Sequence, residues 1–186
     1  MNTIDGDPSL PAAETLLQAN PLGVIEGLLI AAYAVGAQDA IICFAADKAE
    51  QKQIFQIMLA DLAKTDKLNG CRIGLADVPA KYVAREDTAL IAALEGKPMM
   101  SGLVPPWPAE QGFQGRPTLV HHAETFAQIA ALFRQAAAGQ PAKDAVADDA
   151  LRPNQLLAIT LGAVHRPEVC RHILAACEEL LIPGAI

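Results

Sequence analysis

Two short apolar runs, one on each side of a helical pattern, constrain the fold of this chain more than any other feature of the sequence. Residues 40–44 (AIICF) are continuously apolar, which is typical of a strand covered on both faces in a parallel sheet. Residues 71–78 (CRIGLADV) alternate loosely and predict a second strand. Apolar side chains with helical spacing lie between the two runs: Ile54, Phe55, Met58, Leu59 and Leu62. A strand, an amphipathic helix and a second strand form a right-handed βαβ unit, so the sequence predicts an α/β domain.

Further elements are predicted on both sides of this unit. Residues 20–36 start with Asn-Pro, an N-cap followed by a first-turn proline, and end with a glycine suited to a C-cap. A helix is therefore expected over residues 21–35. Residues 86–95 and 123–137 have the composition and spacing of two more helices, and residues 118–120 predict a brief strand.

The remaining segments predict a long loop, a linker and a small extension. Residues 97–117 are rich in proline and glycine, and a loop of that length in a compact domain suggests a functional role. The stretch GQPAKDAVADDALRP is small, polar and acidic, as linkers are. After it, residues 156–164 predict a strand or hairpin and residues 167–181 a last helix. We expect an α/β core over residues 1–138, a linker over 139–153 and a small C-terminal α+β extension over 154–186.

Composition limits the possible partners and location. With 186 residues, of which 52% are hydrophobic, the chain can bury one main core. Its formal net charge of −7 disfavours binding to nucleic acid or anionic membranes. The acidic first residues do not resemble an export signal, and the longest apolar stretch, residues 27–37, is shorter than the roughly 20 residues of a membrane span. We expect a cytoplasmic protein without membrane insertion or a nucleic-acid partner.

The four cysteines predict neither a disulfide framework nor a metal centre. Cys43 and Cys71 lie in apolar runs and are expected in the core. Cys170 and Cys177 are two helical turns apart, so a helix would place them on one face. Their spacing matches no compact zinc or iron–sulfur pattern, and helix packing is the favoured interpretation.

Four motifs occur in a fixed order: NTIDGDP at residues 2–8, NPLGVIEGLLIAAYAVGA at 20–37, YVAREDTALIAALEG at 82–96 and PPWPAEQGFQGRPTLVHHAET at 105–125. Their order and spacing resemble the flavin-binding core of the NADH-oxidising subunit of respiratory complex I (NADH:quinone oxidoreductase), and of its relatives in NAD-linked hydrogenases and formate dehydrogenases. The corresponding family motifs include Asn-Ala-Asp-Glu-Gly-Glu-Pro, Tyr-Ile-Cys-Gly-Glu-Glu-Thr-Ala-Leu and Pro-Pro-Phe-Pro. Residues 156–169 are more weakly similar to the start of the small β-rich domain that follows in that family.

The resemblance implies a Rossmann-like domain that holds FMN, with NADH stacked against the flavin for hydride transfer. Transferred position by position, it implies these cofactor-binding residues: Asn2, Asp5, Asp7, Tyr82, Glu86, Asp87, Trp107 and Thr118. It assigns no catalytic residue and no metal ligand.

Several positions depart from the family pattern. The family's Gly-rich phosphate loop should precede the first motif, and this chain is expected to begin after it. Ile4 replaces an aspartate, and His121 and His122 replace paired asparagines. Arg85 stands where the family has a glycine, so it either occupies part of the flavin's space, clamps an anion or is simply a surface arginine. Residues 98–104 lack the basic side chains expected there, and the cysteine-rich iron–sulfur segment is not found.

These departures predict an FMN- and NADH-binding redox module with an eroded cofactor site, which is inactive alone and has no iron–sulfur cluster. It would work with an oxidoreductase partner subunit. The alternative is a non-catalytic family member that acts as a binding or assembly module.

Structural roles compete with the implied site roles. Adjacent carboxylates at a helix N-terminus, such as Glu86 and Asp87, are stabilised there without any catalytic duty. Trp107 either anchors its loop to the core or presents a stacking face, and anchoring is favoured. For His121 and His122, a hydrogen-bonded structural histidine is the expected role.

Overall fold

The computed structural model describes residues 1–6, 9 and 11–138. The chain forms two compact units, Met1–Ala130 and Ala131–Ile186. The predicted linker and C-terminal extension lie outside the described residues, as do Asp7, Cys170 and Cys177. The described helices are α1 (Ala12–Ala19), α2 (Pro21–Val35), α3 (Ala49–Ala63), α4 (Asp87–Leu94) and α5 (Ala123–Ala137), and the strands are β1 (Asp39–Ala45) and β2 (Arg72–Val78).

The predicted strand–helix–strand unit is confirmed. Strands β1 and β2 pair in parallel, with Asp39 opposite Arg72 and Ala45 opposite Val78, and α3 connects them. Helix α3 is amphipathic as expected, but its buried face is centred on Phe55 and Leu59, whereas Ile54 is exposed. The result is a mixed α/β fold with a parallel sheet.

The first three residues extend this sheet on the other side of β1. Asn2 forms parallel bridges to Cys43 on one side and to His122 on the other. The backbone N–H of Asn2 donates to the carbonyl of His121 at 2.8 Å, and that of Thr3 donates to Cys43 at 3.2 Å. Residues 1–3 therefore lie between β1 and the segment that leads into α5.

The strand predicted over residues 118–120 is wrong. These residues form no ladder, and the bridge next to residues 1–3 falls on His122 instead. The backbone N–H of Thr118 donates to the carbonyl of Pro108 at 2.8 Å. Because its hydrogen-bonding capacity is used to close its own loop, this segment does not join the sheet.

Helix α2 has the predicted bounds because its end signals are local. The side chain of Asn20 accepts a hydrogen bond from the backbone of Gly23 at 3.1 Å, and Gly36 takes a left-handed conformation, with φ of 69°, at the C-terminus. Gly27 lets α2 approach α5 closely, since a Cβ at this position would collide with the carbonyl oxygen of Phe126.

Helix α1 was not predicted from the sequence. It begins after Pro11, whose side chain cannot cap it, and its free N–H groups are capped by Asp5 from an earlier turn of the chain. The Asp5 cap leaves no signal within the segment, but the strong helix formers of AAETLLQA and Glu14 in the first turn are local helix signals that the prediction left out.

The core lies on both faces of β1. The rings of Phe44 and Phe55 meet edge to face, with centroids 5.4 Å apart. Cys43 and Cys71 are buried free thiols, as predicted, and burial raises the pKa of both. Within the described part of the chain, no single helix is long and apolar enough to cross a membrane, although α1 and α2, bent by 103°, pass that test as a pair by length and composition.

Candidate functional site

The candidate site lies where the parallel strands end. Residues 4–6 follow the segment that pairs with β1, and a 3₁₀ turn, Tyr82–Arg85, follows β2 and leads into α4. In open α/β sheets, ligands bind outside the carboxyl ends of the strands. We call this region the carboxyl edge of the sheet.

Asn2 is buried at this edge and fixes the 3₁₀ turn. Its side chain is 3% exposed. The amide nitrogen donates to the carbonyl of Ala84 at 2.8 Å, and the amide oxygen accepts from the backbone of Ile4 at 3.0 Å. The side chain therefore joins the end of the first segment to the turn that carries Arg85.

The carboxylate of Asp5 caps helix α1. One oxygen accepts from the backbone of Ala13 at 2.9 Å and the other from that of Glu14 at 3.2 Å. The imidazole Nε2 of His122 lies 3.7 Å from the same carboxylate. Asp5 thus faces both a helix N-terminus and a histidine.

His122 is mostly buried beside Asp5. Burial lowers the pKa of its imidazole, the Asp5 carboxylate opposes this shift, and the positive charge of Arg85 adds to it. Neither ring nitrogen reaches hydrogen-bond geometry with a described residue, although the backbone of Ile4 lies close enough to favour the charged form. The expected hydrogen-bonded structural histidine is therefore not seen among the described contacts, and the lowered pKa favours the neutral ring.

Arg85 and Tyr82 lie against Gly6. A Cβ on Gly6 would collide with Cδ of Arg85, and it would lie 3.1 Å from Cγ of Arg85 and 3.4 Å from Cδ2 of Tyr82. Tyr82 as a whole residue is 79% exposed. The space that glycine leaves open is thus in contact with both side chains.

Glu86 caps helix α4. Its carboxylate accepts hydrogen bonds from the backbone of Thr88 at 3.1 Å, from the Thr88 hydroxyl at 2.6 Å and from the backbone of Ala89 at 2.7 Å. Burial alone would raise the pKa of Glu86, but these hydrogen bonds and one from Ser101 outweigh it, and the pKa is lowered. The Thr88 hydroxyl also accepts from the backbone of Gly102 at 2.6 Å, so this cap holds the following loop against α4.

Asp87 and His121 influence each other at the start of α4. Asp87 lies at the surface, yet partial burial of its carboxyl group raises its pKa, with the charge of Glu86 adding to the shift and His121 opposing it. Burial lowers the pKa of His121, which Asp87 opposes. The ring of His121 also packs edge to face against Phe126, with centroids 6.2 Å apart.

Trp107 and Thr118 belong to the loop between α4 and α5, and their hydrogen bonds stay within it. The Trp107 side chain is 57% exposed, so the interpretation that it anchors the loop to the core is wrong. Its backbone N–H donates to the Glu110 carboxylate at 3.3 Å. The Thr118 hydroxyl accepts from the backbone of Phe113 at 2.9 Å and donates to the carbonyl of Arg116 at 2.9 Å, which closes the loop.

Two site features were not predicted. Thr88 links the Glu86 cap to Gly102. A threonine two residues after an acidic N-cap is the sequence signal that could have indicated this link. The space at Gly6 depends on a long-range packing partner, so no local sequence pattern indicated it. Within the described ranges, no group of three or more His, Cys, Asp or Glu side chains could hold a metal ion.

A cavity of about 580 Å³ lies at the opposite edge of the sheet, where β1 begins. Apolar side chains of α2 and α4 form much of its wall, and residues of the loop before α5 complete it. None of the predicted site residues except Thr118 lines it.

Residues 1–131 match the Nuo51 FMN-binding domain family. The chain belongs to this family. Among its relatives, the F component of the NADH-quinone oxidoreductase of Rhodobacter capsulatus is 30% identical over 146 residues, which cover 74% of this chain and 34% of that protein. The alpha subunit of the NAD-reducing hydrogenase HoxS of Cupriavidus necator is 30% identical over 146 residues, covering 73% of this chain and 24% of that protein.

Solved structures agree with this family assignment. The crystal structure of the NAD⁺-reducing NiFe-hydrogenase in its H₂-reduced state superimposes with a TM-score of 0.61 at 30% identity, over 68% of this chain and 22% of the other. The chain spans about a third or less of the length of these relatives.

Proposed function

We propose that this chain is a flavoprotein-like redox module with an eroded site for FMN and NADH, which works with a partner subunit of an oxidoreductase complex. Family membership supports the redox class, and the relatives from Rhodobacter capsulatus and Cupriavidus necator are named as subunits of larger enzymes. A Rossmann-like arrangement of the complete domain and a cytoplasmic location are part of this proposal.

One observation supports the proposal that the cofactor site is eroded. Three side chains at cofactor-binding positions are engaged by the protein's own backbone: Asn2 binds Ala84 and Ile4, Asp5 caps α1, and Glu86 caps α4. A group used in this way contributes less to a ligand, because binding would first have to break an existing hydrogen bond. FMN supplies hydride acceptance from NADH when it is bound, but these residues give it few free polar partners.

The same observation favours a second candidate, a non-catalytic module for binding or assembly. Asn2, Asp5 and Glu86 have a structural use that does not depend on a cofactor, so they can persist after redox activity is lost. The two candidates differ in whether a nucleotide still binds.

The first experiment measures cofactor content. We expect the purified chain to contain much less than one equivalent of flavin, judged by its absorbance and by flavin released on denaturation, because motif side chains are already engaged. Elemental analysis should find neither iron nor zinc near one equivalent. Tight FMN at one per chain would contradict an eroded site, and stoichiometric iron would contradict the expected lack of a cluster.

The second experiment measures residual nucleotide binding with the fluorescence of Trp107, the only tryptophan. Its ring is exposed and available for stacking, which is worth roughly 0.5–1.5 kcal/mol beyond buried area, or about tenfold in affinity. We expect NADH, NAD or FMN to shift its emission with dissociation constants in the high-micromolar range or weaker. Since Trp107→Ala removes the probe, binding to that variant is measured by equilibrium dialysis. No binding at millimolar ligand would favour the non-catalytic candidate.

A further inference from the structure

The contact between Arg85 and Gly6 determines how much room exists at the carboxyl edge. Gly6 does not have a positive φ, so its backbone does not need a glycine for conformational reasons. What glycine provides is space beside its Cα. Arg85 fills that space, since its Cδ lies where a Cβ would have to go and its Cγ lies 3.1 Å from that position.

The position of Arg85 is set by buried contacts. Asn2 holds the carbonyl of Ala84, the residue before Arg85, with a 2.8 Å hydrogen bond. The backbone N–H of Glu86, the residue after it, donates to the carbonyl of Val83 at 3.0 Å. These hydrogen bonds restrain the backbone on both sides of Arg85, whereas no such bond is described for its side chain. Because the residue is exposed, its guanidinium can stay solvated in another rotamer.

A planar ring could stack on the Gly6 backbone only if it approached to about 3.5–4.0 Å, the ordinary contact distance between carbon atoms. The Arg85 methylene groups already occupy that layer, and Tyr82 borders it. A flavin ring and the Arg85 side chain thus compete for one volume. The residues present do not fit a flavin ring at Gly6.

We propose that Arg85 closes the Gly6 face of the carboxyl edge and thereby excludes planar cofactor rings from this chain. This inference rests on the proposed function, because it names the residue that blocks the proposed flavin site. The closure is steric and comes from the methylene groups of the side chain. It is reversible because a flexible side chain, not backbone, fills the space.

The test compares Arg85→Ala, which shortens the side chain, with Arg85→Met, which removes the charge but keeps the bulk. Lys81→Ala, a nearby change of charge on the same connection, is the control. The probe is lumiflavin, which has the flavin ring but no phosphate, and binding is followed by equilibrium dialysis. We expect R85A to bind lumiflavin at least about tenfold more tightly than the wild type, and R85M and K81A to behave as the wild type does.

Equal lumiflavin binding by R85A and the wild type, or an equal gain in R85M, would overturn the proposal. Failure of the steric closure can be distinguished from failure of the proposed redox function. A lumiflavin gain in R85A without NADH binding by any variant would retain the steric closure and remove the redox module. NADH binding by the wild type, without tighter lumiflavin binding by R85A, would retain the redox module and remove the steric closure.

A second measurement tests the contact without any ligand. Gly6→Ala should lower the thermal unfolding temperature in the wild type, because its methyl group collides with Arg85, and lower it less in R85A. In addition, R85A should raise the pKa of His122 measured by NMR, since the Arg85 charge lowers it, and K81A should not. An equal cost of G6A in both backgrounds would show that Arg85 does not occupy this space.

Discussion

The two edges of the parallel sheet differ in what their residues do. At the carboxyl edge, polar side chains such as Asn2 and Glu86 bond to backbone groups, and Arg85 fills the space beside Gly6. At the amino edge, a cavity of about 580 Å³ is lined mainly by apolar residues, and of the implied cofactor-binding residues only Thr118 lies on its wall. Apart from Thr118, the implied cofactor-binding residues therefore lie away from this open volume, so a matched motif position does not by itself identify an open site.

Hydrogen bonding explains the difference. At the carboxyl edge, Asn2, Asp5 and Glu86 bond to turn and helix-end backbone groups, whereas the buried ring nitrogens of His122 have no hydrogen-bond partner among the described residues. The apolar residues at the amino edge need no hydrogen-bond partners, so imperfect packing there leaves a void. If this explanation holds, substitutions at the carboxyl edge should destabilise the fold, and the cavity at the amino edge should accommodate a larger side chain.

The largest effect is expected from Asn2→Ala. It leaves the carbonyl of Ala84 and the N–H of Ile4 without their partner in a buried position, and each such loss costs about 1–3 kcal/mol. We expect the free energy of unfolding to fall by about 2–4 kcal/mol in urea titrations. A fall of less than about 0.5 kcal/mol would mean that the carboxyl edge does not depend on this amide.

A smaller effect is expected from Glu86→Gln, which weakens the cap on α4 by about 1 kcal/mol at neutral pH. The pKa of Glu86 is lowered in the folded state, so its stabilisation is present above the unfolded pKa of about 4.3 and is lost as the pH falls through the lower folded value. Urea titrations between about pH 3 and pH 7 should show a flatter acid side in E86Q than in the wild type.

Asp87→Asn is the matched control for this pH profile. The pKa of Asp87 is raised in the folded state, so its charged form is disfavoured by folding and its contribution has the opposite sign. D87N should therefore remove a stability gain that appears on acidification. If both variants flattened the acid side alike, the cap would not be the source of the pH dependence.

The smallest effect is expected from Ala32→Leu, on the wall of the amino-edge cavity. Each methylene group placed in the void is worth up to about 0.8 kcal/mol, and imperfect fit offsets part of this, so we expect a gain of up to about 1 kcal/mol. Ala13→Leu is the control, since Ala13 is fully buried and does not line the cavity, and overpacking there should cost about 1–3 kcal/mol. A similar loss in both variants would mean that the cavity cannot accommodate a side chain.

Elements with signals inside their own sequence could be predicted. Helix α2 has its cap, its first-turn proline and its terminal glycine within the segment, and the βαβ unit follows from two apolar runs. The cap of helix α1 could not be predicted because Asp5 supplies it from outside, although the helix formers within Ala12–Ala19 are a local signal. The strand prediction over residues 118–120 was wrong because Thr118 bonds within its loop.

For the candidate site, the motifs predict which side chains contact a cofactor, but they do not predict how those side chains bond to the fold. The Glu86 cap was foreseen as a structural alternative, because an acidic residue before an apolar helix is a local signal. The bond of Asn2 to Ala84 and the contact of Arg85 with Gly6 join segments about 80 residues apart in the chain. Such partners depend on the packed fold, which motif spacing does not specify.

The central place of residues 1–3 in the sheet affects how the chain folds. Asn2 pairs with Cys43 on one side and with His122 on the other, so its two neighbours lie at very different distances along the sequence. During translation, residues 1–3 can pair with β1 long before the ribosome has made His122. The segment then exposes one unpaired side to its surroundings, where chaperones and other nascent chains can reach it, until the start of α5 arrives.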